Sequence, residues 1–368
     1  MSESSDLWIL SDSPAGPLSR EMLGGKGYNL IRLVQLGCRV LRFGIVTAKA
    51  FDAWSVNKKL PRAVIDGIDA FAASLPGKEF AVRSSAVTED APDASFAGLF
   101  ETKLCVASAH LCEAVIDVFG SAESDRVRTY ENRTTRSFGQ PSRPFRVAVV
   151  IQEMLNPSAS GVAFSRKPTG NSALACIESS WGLGQGVVDG SVDVDRFEWD
   201  RFGREVSVVI ANKPSMVART PNGGLGDHPV APERQSLASL LPDERREIYE
   251  AMMLIESRFG LPVDIEFALA EGLLFILQAR PITTRLPLLR HYVDTNLCES
   301  YPARTSRMTQ SFVRQIYTQV FLDSARFLGA SSARIELLLV HYRRMIAAFE
   351  GHLYYDLNSY YAAMCALP

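Results

Sequence analysis

The 368-residue sequence has few features of a disulfide-rich, membrane-spanning or nucleic-acid-binding protein. Its six cysteines form no C-x-x-C pair, which favours reduced thiols over a disulfide or zinc framework. No apolar run reaches membrane-spanning length, and the N-terminal residues lack the basic and apolar regions of a signal peptide. The formal net charge of -2 gives no electrostatic basis for binding nucleic acid. We therefore expect a cytoplasmic protein that binds neither membranes nor nucleic acid.

No lysine occurs after Lys213. That leaves few lysine candidates for a phosphate site. The length predicts two or three domains, and the hydrophobic content of 47% is sufficient for a full core.

Residues 261–285 predict a β-hairpin around a turn at Glu271 and Gly272. Polar and apolar residues alternate on both arms, so each arm has one polar and one apolar face. The apolar side chains that we expect in the core are Ile265, Phe267, Phe275 and Leu277.

The polar face of this predicted hairpin carries four candidate site residues. Asp264 and Glu266 lie two apart on the first arm, and Gln278 and Arg280 lie two apart on the second. Carboxylate and amide oxygens suit Mg²⁺, which readily shares its ligands with a nucleotide. A guanidinium group matches phosphoryl oxygens. An ordinary sheet face wetted by solvent is the alternative interpretation.

The register of the hairpin decides whether these four residues meet. A two-residue turn would pair Glu266 with Leu277 and divide the polar set between the two faces. A loop with an odd number of residues pairs Glu266 with Gln278 and keeps the set together. We therefore predict a three-residue loop that contains Gly272.

Two stretches nearer the N terminus add candidates for phosphate binding. Gly24-Gly25-Lys26-Gly27 opens a helical pattern, so free backbone N–H groups, the helix dipole and the Lys26 charge favour an anion. The spacing is not that of a P-loop, and a purely structural glycine turn is the alternative. Residues 80–85 predict a strand that contains Arg83. In the loop that follows, the small residues Ser95 and Gly98 permit close approach of a ligand; an ordinary surface loop is the alternative.

Three further segments have a predicted conformation. Residues 145–154 read as a strand buried on both faces, ending at a candidate adenine hinge, Gln152-Glu153-Met154, or at a plain strand end. Residues 212–232, rich in Pro, Gly and Asn, predict a long loop. Residues 308–349 carry long helical periodicity that includes Ile346.

In this order, the motifs resemble the N-terminal ATP-binding module of the pyruvate phosphate dikinase and phosphoenolpyruvate synthase family, which includes the rifampicin phosphotransferases. The matching stretches span residues 24–283 and are Gly24-Gly25-Lys26-Gly27-Tyr28-Asn29-Leu30, Val82-Arg83-Ser84-Ser85-Ala86, Asp93-Ala94-Ser95-Phe96-Ala97-Gly98, Ser160-Gly161-Val162-Ala163-Phe164, Trp181-Gly182-Leu183-Gly184, Asp264-Ile265-Glu266 and Gln278-Ala279-Arg280-Pro281. Residues 296–302 and 354–358 resemble the segment that follows the module in rifampicin phosphotransferases.

The resemblance implies an α/β ATP-grasp fold that holds ATP between two lobes, residues 1–154 and 155–285, followed by a helical segment, 286–368. It also implies a role for each matching residue. Lys26, Arg83 and Arg280 would contact the phosphates as the catalytic cations, and Glu266 and Gln278 would hold Mg²⁺. Asp264 would support that set, Ser95 and Gly98 would approach the nucleotide, and Gln152, Glu153 and Met154 would lie along the adenine.

The sequence departs from the family pattern at two levels. Gln185 stands where the family usually has Glu. None of the five histidines lies in the Thr/Ser-His setting of the family's phosphoryl-carrying swivel domain. The resemblance therefore implies a phosphotransferase module that requires a His-bearing domain, in cis or in trans, and a small-molecule acceptor such as pyruvate or an antibiotic hydroxyl. The alternatives are an ATP-binding regulatory subunit and a direct ATP-grasp kinase.

Overall fold

The computed structural model describes residues 6–12, 18–86, 90–91, 94–95, 102–123, 146–168, 173–220, 223–282 and 291–364. The chain divides into two compact units, Met1–Leu286 and Pro287–Pro368. No helix among the described residues is long and apolar enough to cross a membrane.

The first sheet belongs to the N-terminal half of the first unit. The strands of this half are β1 (Trp8–Leu10), β2 (Phe43–Val46), β3 (Glu79–Ala86), β4 (Asp90–Ala91), β5 (Ala94–Ser95), β6 (Thr102–Ala107) and β7 (Val147–Glu153). Five of them form an antiparallel sheet in the order β1-β2-β7-β3-β6, whereas β4 and β5 form a separate pair among the described residues. The central strand β7 is buried along almost its whole length, as its apolar sequence predicts.

Helices cover both faces of the first sheet. One face packs against Ala48–Asn57, Arg62–Ala73 and Leu111–Ala122, which share a core with its strands. The first helix, Arg20–Gln35, belongs to a second core cluster, which also contains residues of the second sheet. A short 3₁₀ helix, Ser108–His110, precedes the helix that begins at Leu111.

The second sheet is formed by the later strands of the first unit. These are β8 (Ala159–Phe164), β9 (Ala175–Trp181), β10 (Asp195–Trp199), β11 (Glu205–Val209), β12 (Ser215–Arg219), β13 (Leu225–Pro229), β14 (Val263–Ala270) and β15 (Leu273–Pro281). The sheet order is β11-β10-β9-β8-β14-β15. The helix Pro242–Phe259 shares the core with this sheet, and two short helices, Gln185–Asp189 and Pro232–Gln235, complete the region. The two sheets and the helices packed on them confirm the predicted α/β class; the ATP-grasp assignment and the boundary at residue 154 stay predictions.

Strands β12 and β13 form a separate hairpin where the sequence predicted a long loop. The prediction was wrong because this hairpin buries little apolar surface. Val217 is the one buried residue on the two strands, so an alternating pattern is weak. Gly223 and Gly224 both have positive φ, 84° and 81°, and turn the chain between the strands.

A buried ion pair fixes the segment that leads into this hairpin. Lys213 Nζ donates to Asp195 Oδ1 at 2.6 Å, and both side chains are fully buried. The N–H of Ala211 donates to the same oxygen at 2.9 Å, and Ser239 donates to Oδ2 through its N–H and its hydroxyl, each at 2.7 Å. These bonds compensate the desolvation of the two charges and join three chain segments.

The first helix is broken at Gly24, where φ is 68° and ψ is 176°. The sequence predicted a glycine turn that opens the helix, whereas helical backbone already begins at Arg20. The hydroxyl of Ser85 bridges the break: it donates to Leu23 C=O at 2.8 Å and accepts from Gly27 N–H at 3.0 Å. A Cβ at position 24 would lie 1.9 Å from Ser85 O, so only glycine permits this approach.

The second unit contains helices and a small sheet. Its helices are Leu297–Ser300, Arg307–Phe327, Ser332–Arg344 and Leu357–Met364, and its strands are β16 (Tyr292–Val293), β17 (Ile346–Phe349) and β18 (His352–Asp356), in the order β16-β18-β17. The helical interpretation was therefore wrong around Ile346. Glu350 and Gly351 both have positive φ, 49° and 91°, and make a tight turn that helical periodicity does not report.

Replacing Gly24 tests the break in the first helix. Gly24→Ala should be destabilising for two reasons: alanine would have to adopt a positive φ, and its methyl group would clash with the Ser85 backbone. Gly37→Ala is the matched control, because Gly37 has φ +76° and nothing within 4 Å of the added Cβ. We expect the control to lose about 1–2 kcal/mol of unfolding free energy, and Gly24→Ala to lose about 2 kcal/mol more. Urea denaturation measures both, and equal losses would contradict the steric argument.

Candidate active site

A cleft with a volume of about 460 Å³ is lined by residues of both sheets of the first unit. Eight of the predicted site residues line it: Lys26, Arg83, Gln152, Glu153, Met154, Glu266, Gln278 and Arg280. Asp264 is not among the lining residues, but it is paired with Arg280, which is. Ser95 lies on β5, and Gly98 falls outside the described residues.

The hairpin β14–β15 has a different turn from the one predicted. Ala270 pairs with Leu273, so the loop holds two residues, Glu271 and Gly272, with φ of 52° and 71°. The predicted three-residue loop is therefore wrong. Two successive positive φ values are the geometry of a tight hairpin turn, which Gly favours.

The predicted pairing nevertheless holds, because a β-bulge restores it. Phe267 pairs with Ile276, whereas Glu266 pairs with Gln278, and Leu277 is the extra residue between them. Asp264 pairs with Arg280 in the same register. With the two-residue turn alone, Glu266 and Gln278 would lie on opposite faces of the hairpin. The bulge shifts the register by one residue, so that all four polar residues share one face.

The bulge also explains an error in the predicted core. Phe267 is fully buried as expected, but Leu277 lines the cleft and Phe275 is only partly buried. Leu274 and Ile276 take their places in the core. Alternation assigns side chains to faces correctly only up to the bulge.

One ion pair crosses the cleft from sheet to sheet. Arg83 Nη1 on β3 lies 3.6 Å from Glu266 Oε2 on β14. Arg83 Nε is buried and has no hydrogen-bond partner in the part of the chain that the structure describes. The guanidinium therefore retains donor capacity next to a carboxylate, and an oxyanion could use that capacity.

A second ion pair orients Arg280. Asp264 Oδ2 accepts from Arg280 Nε at 2.7 Å and lies 2.6 Å from its Nη2. The Asp264 side chain is 9% exposed and that of Arg280 is 48% exposed. The buried carboxylate thus anchors one edge of a guanidinium that extends into the cleft.

Lys26 lies just after the helix break and also faces the cleft. Its Nζ donates to Ser84 C=O at 3.0 Å. The N–H of Gly27 is already used by Ser85, so that group is not available to an anion. The glycine stretch therefore has the structural use considered above, and it also brings Lys26 to the cleft.

The strand end at Gln152 to Met154 has most of its backbone donors occupied. Glu153 N–H donates to Arg42 C=O at 3.1 Å, and Met154 N–H donates to Glu79 C=O at 2.9 Å. Gln152 is 2% exposed and its Nε2 has no partner among the described residues. A buried amide without a partner, beside a cleft, is a group that a ligand can satisfy.

Sequence reasoning missed cleft residues whose contribution is not a charged side chain. Leu155 follows the predicted hinge, and Leu183 and Leu225 line the same cleft. No sequence signal marks Leu155 beyond its place after a strand end. Gln185, the departure from the family pattern, also lines the cleft, and its Nε2 lies 3.4 Å from Asp189 Oδ2.

The donor set fits a metal that is shared with a nucleotide. No group of three or more His, Cys, Asp or Glu side chains among the described residues forms a metal site. Glu266 and Gln278 supply one carboxylate and one amide oxygen from paired positions of one face. Mg²⁺ commonly takes one or two protein oxygens and completes its shell with phosphates and water.

Residues 53–289 match the family model of the pyruvate phosphate dikinase AMP/ATP-binding domain. The chain belongs to this family. The first unit thus contains an ATP-binding domain, which confirms the resemblance inferred from the motifs and makes ATP its nucleotide.

Curated relatives agree with this family. The chain is 37% identical to a rifampicin phosphotransferase of Streptomyces sviceus, over 57% of this chain and 24% of that protein. It is 36% identical to a probable phosphoenolpyruvate synthase of Archaeoglobus fulgidus (56% and 28%) and 31% identical to the prodigiosin synthesizing transferase PigC of Serratia marcescens (73% and 32%). A D-alanine-D-alanine ligase structure from Helicobacter pylori is similar at 11% identity and a TM-score of 0.33, over 71% of this chain and 54% of that chain. The chain thus spans about a quarter to a third of these three curated relatives.

The pH dependence of stability tests the environment of Glu153 in this ATP-binding domain. Burial raises the pKa of Glu153, while Lys78 and Arg42 oppose the effect and Asp12 adds to it. A carboxyl whose pKa is raised on folding contributes to the stability of the folded state below its unfolded pKa, about 4.3. This contribution is lost as the pH rises through the folded pKa. Glu153→Gln should therefore gain stability over the wild type near neutral pH, and the gain should vanish in acid. Urea midpoints measured across this range check it; a difference independent of pH would contradict the assignment.

Proposed function

We propose that the chain binds Mg-ATP in this cleft and acts as the phosphoryl-donating module of a dikinase-type phosphotransferase. The observation that carries the proposal is the convergence of Arg83 and Glu266, 3.6 Å apart, from opposite sheets of an ATP-binding domain. Phosphoryl transfer needs this kind of arrangement, because positioning and charge neutralisation provide most of its catalysis.

The phosphate end of the cleft has a division of roles. Lys26, Arg83 and Arg280 are the cations that contact the phosphates, and Asp264 keeps Arg280 in place through its 2.7 Å hydrogen bond. Glu266 and Gln278 are the residues that hold Mg²⁺. The bound metal supplies neutralisation of phosphate charge. In the nucleotide complex, Glu266 would exchange its contact with Arg83 for the metal and free the guanidinium for phosphate.

The base end of the cleft is formed by the strand end and the residues after it. Gln152, Glu153 and Met154 lie along the adenine in this proposal, and Ser95, on β5, and Gly98 approach the nucleotide. The Gln152 side chain offers a buried amide donor. Because the N–H groups of Glu153 and Met154 are engaged, the next N–H, that of Leu155, is the backbone donor left for the base edge.

The phosphoryl carrier is proposed to lie on another domain or protein. In a dikinase reaction the β-phosphoryl group of ATP moves to an imidazole nitrogen, water takes the γ-phosphoryl group as phosphate, and AMP leaves. Neither His110 nor His228, the two histidines of the first unit, lines the cleft, and none of the five histidines of the sequence lies in the Thr/Ser-His setting of the carrier. We therefore infer a His-bearing swivel domain, in cis or in trans, and a small-molecule acceptor such as pyruvate or an antibiotic hydroxyl.

Exchanging a single carboxylate tests the metal assignment. Glu266→Gln should abolish stabilisation by Mg-ATP and keep the fold, because Glu266 faces the cleft and is not part of the core. Glu271→Gln is the control, since Glu271 is an exposed residue at the tip of the same hairpin. At a ligand concentration 100 times Kd, we expect about 2.7 kcal/mol of ligand stabilisation in the wild type and the control. Thermal melts with and without Mg-ATP measure it; unchanged stabilisation of Glu266→Gln would refute the assignment.

The need for a separate carrier gives a second prediction. The isolated 368-residue chain should bind Mg-ATP but phosphorylate no acceptor, because no histidine of the first unit lines its cleft and none in the sequence has the setting of the carrier. Adding the His-bearing domain of a rifampicin phosphotransferase should restore release of AMP. Labelled ATP, candidate acceptors and product chromatography test this. Stoichiometric transfer without any carrier would identify a direct ATP-grasp kinase, and ATP binding without turnover in the presence of a carrier would identify a regulatory subunit.

A further inference from the structure

The β12–β13 hairpin, absent from the sequence-based expectation, reaches the base end of the cleft. Arg219 at the end of β12 places Nη1 3.2 Å from Glu79 Oε2 on β3, and its Nη2 donates to Leu155 C=O at 3.2 Å. Leu225, at the start of β13, lines the cleft. One arginine of the hairpin therefore touches the first sheet and the segment that follows β7.

The hairpin itself is attached to the second sheet. Leu183 N–H, just after β9, donates to Val217 C=O at 2.8 Å, and Gly182 forms a bridge with Val217. A Cβ at Gly182 would lie 2.5 Å from that carbonyl, so the two segments are in close contact. Arg219 thus connects an element anchored on the second sheet to the first sheet.

Both contacts of Arg219 act on the same short segment, residues 153–155. Glu79 uses its side chain for Arg219 and its backbone carbonyl for Met154 N–H at 2.9 Å. The Leu155 carbonyl is the other partner of Arg219. On the far side, Met154 Sδ accepts from Cys105 N–H at 3.0 Å. Several neighbouring groups therefore hold this segment, and Arg219 is the one among them that belongs to the β12–β13 hairpin.

What these bonds leave free is the N–H of Leu155, which has no hydrogen bond in the described part of the chain. This N–H belongs to the Met154–Leu155 peptide plane, which lies between two planes that are held: the preceding one through Met154 N–H by the Glu79 carbonyl, and the following one through the Leu155 carbonyl by Arg219. The guanidinium and its Glu79 partner are 28% and 29% exposed, so the pair is partly shielded from water.

We propose that Arg219 is a positioning residue for the nucleotide base: by holding Leu155 through its carbonyl it orients the Leu155 N–H toward the adenine edge. This inference rests on the proposed function. It assigns to Arg219 the recognition of the base, whereas the phosphates are bound by the separate cations Lys26, Arg83 and Arg280. Loss of Arg219 should therefore reduce selectivity among purine nucleotides rather than binding of the triphosphate.

The test compares Mg-ATP with Mg-GTP, which share the triphosphate and differ at the base edge. Isothermal titration of the full chain measures both Kd values for the wild type, Arg219→Ala and Arg219→Lys. Arg204→Ala is the control, because Arg204 is an exposed arginine in the turn between β10 and β11, is paired with Asp200 and does not line the cleft. We expect a wild-type preference for ATP and about tenfold weaker ATP binding by Arg219→Ala, which corresponds to the loss of one hydrogen bond between the Leu155 N–H and the base. GTP binding should be unchanged, and the control should match the wild type.

Glu79→Gln provides a second variant that keeps Arg219 and removes its ion pair, and it should weaken ATP binding in the same direction. The inference is overturned if the wild type has no preference for ATP, if Arg219→Ala keeps that preference, or if it loses ATP and GTP equally. In these outcomes nucleotide binding by the wild type still upholds the proposed function. A wild-type chain that binds neither nucleotide would instead refute the proposed function, and the inference with it.

Discussion

The hydroxyl of Ser85 holds the first helix at its break, and the arrangement of the cleft depends on that contact. It accepts a hydrogen bond from Gly27 N–H and donates one to Leu23 C=O, so it satisfies one backbone group on each side of the break. Gly24 lets the helix and the strand that contains Ser85 approach closely enough for these hydrogen bonds. Because the helix beyond Gly24 packs against strands of both sheets, the contact that places Lys26 also sets where the two sheets meet.

The hairpin β14–β15 shows what a sequence can and cannot establish about such a fold. Alternation identified its polar face, and chemistry identified Glu266 and Gln278 as partners. The loop length inferred from that pairing was wrong, because a two-residue turn and a bulge at Leu277 produce the same pairing. Where a bulge forms depends on the neighbouring strand and the packing on each face, which no local pattern contains.

Among the residues of the cleft, too, some could be predicted from the sequence and others could not. Charged and amide side chains such as Arg83 and Arg280 were identified because their residue types indicate phosphate chemistry. The Leu155 peptide and Arg219 were missed for different reasons. A backbone N–H has no residue type that marks it, and Arg219 lies on a hairpin with too little buried apolar surface to produce a periodic pattern. Hydrogen-bond accounting in three dimensions was needed to find both.

The fully buried pair of Asp195 and Lys213 limits how this chain can change over generations of mutation. Removing either charge alone leaves the other buried without an opposite charge, which costs about 3–5 kcal/mol. That is a large part of the roughly 5–15 kcal/mol by which folded proteins are stable. An apolar pair can be as stable as a buried ionic one, provided here that the N–H groups of Ala211 and Ser239 find other acceptors. The two positions can therefore change only together, because a protein with one of the two residues replaced is less stable than a protein with both or neither replaced.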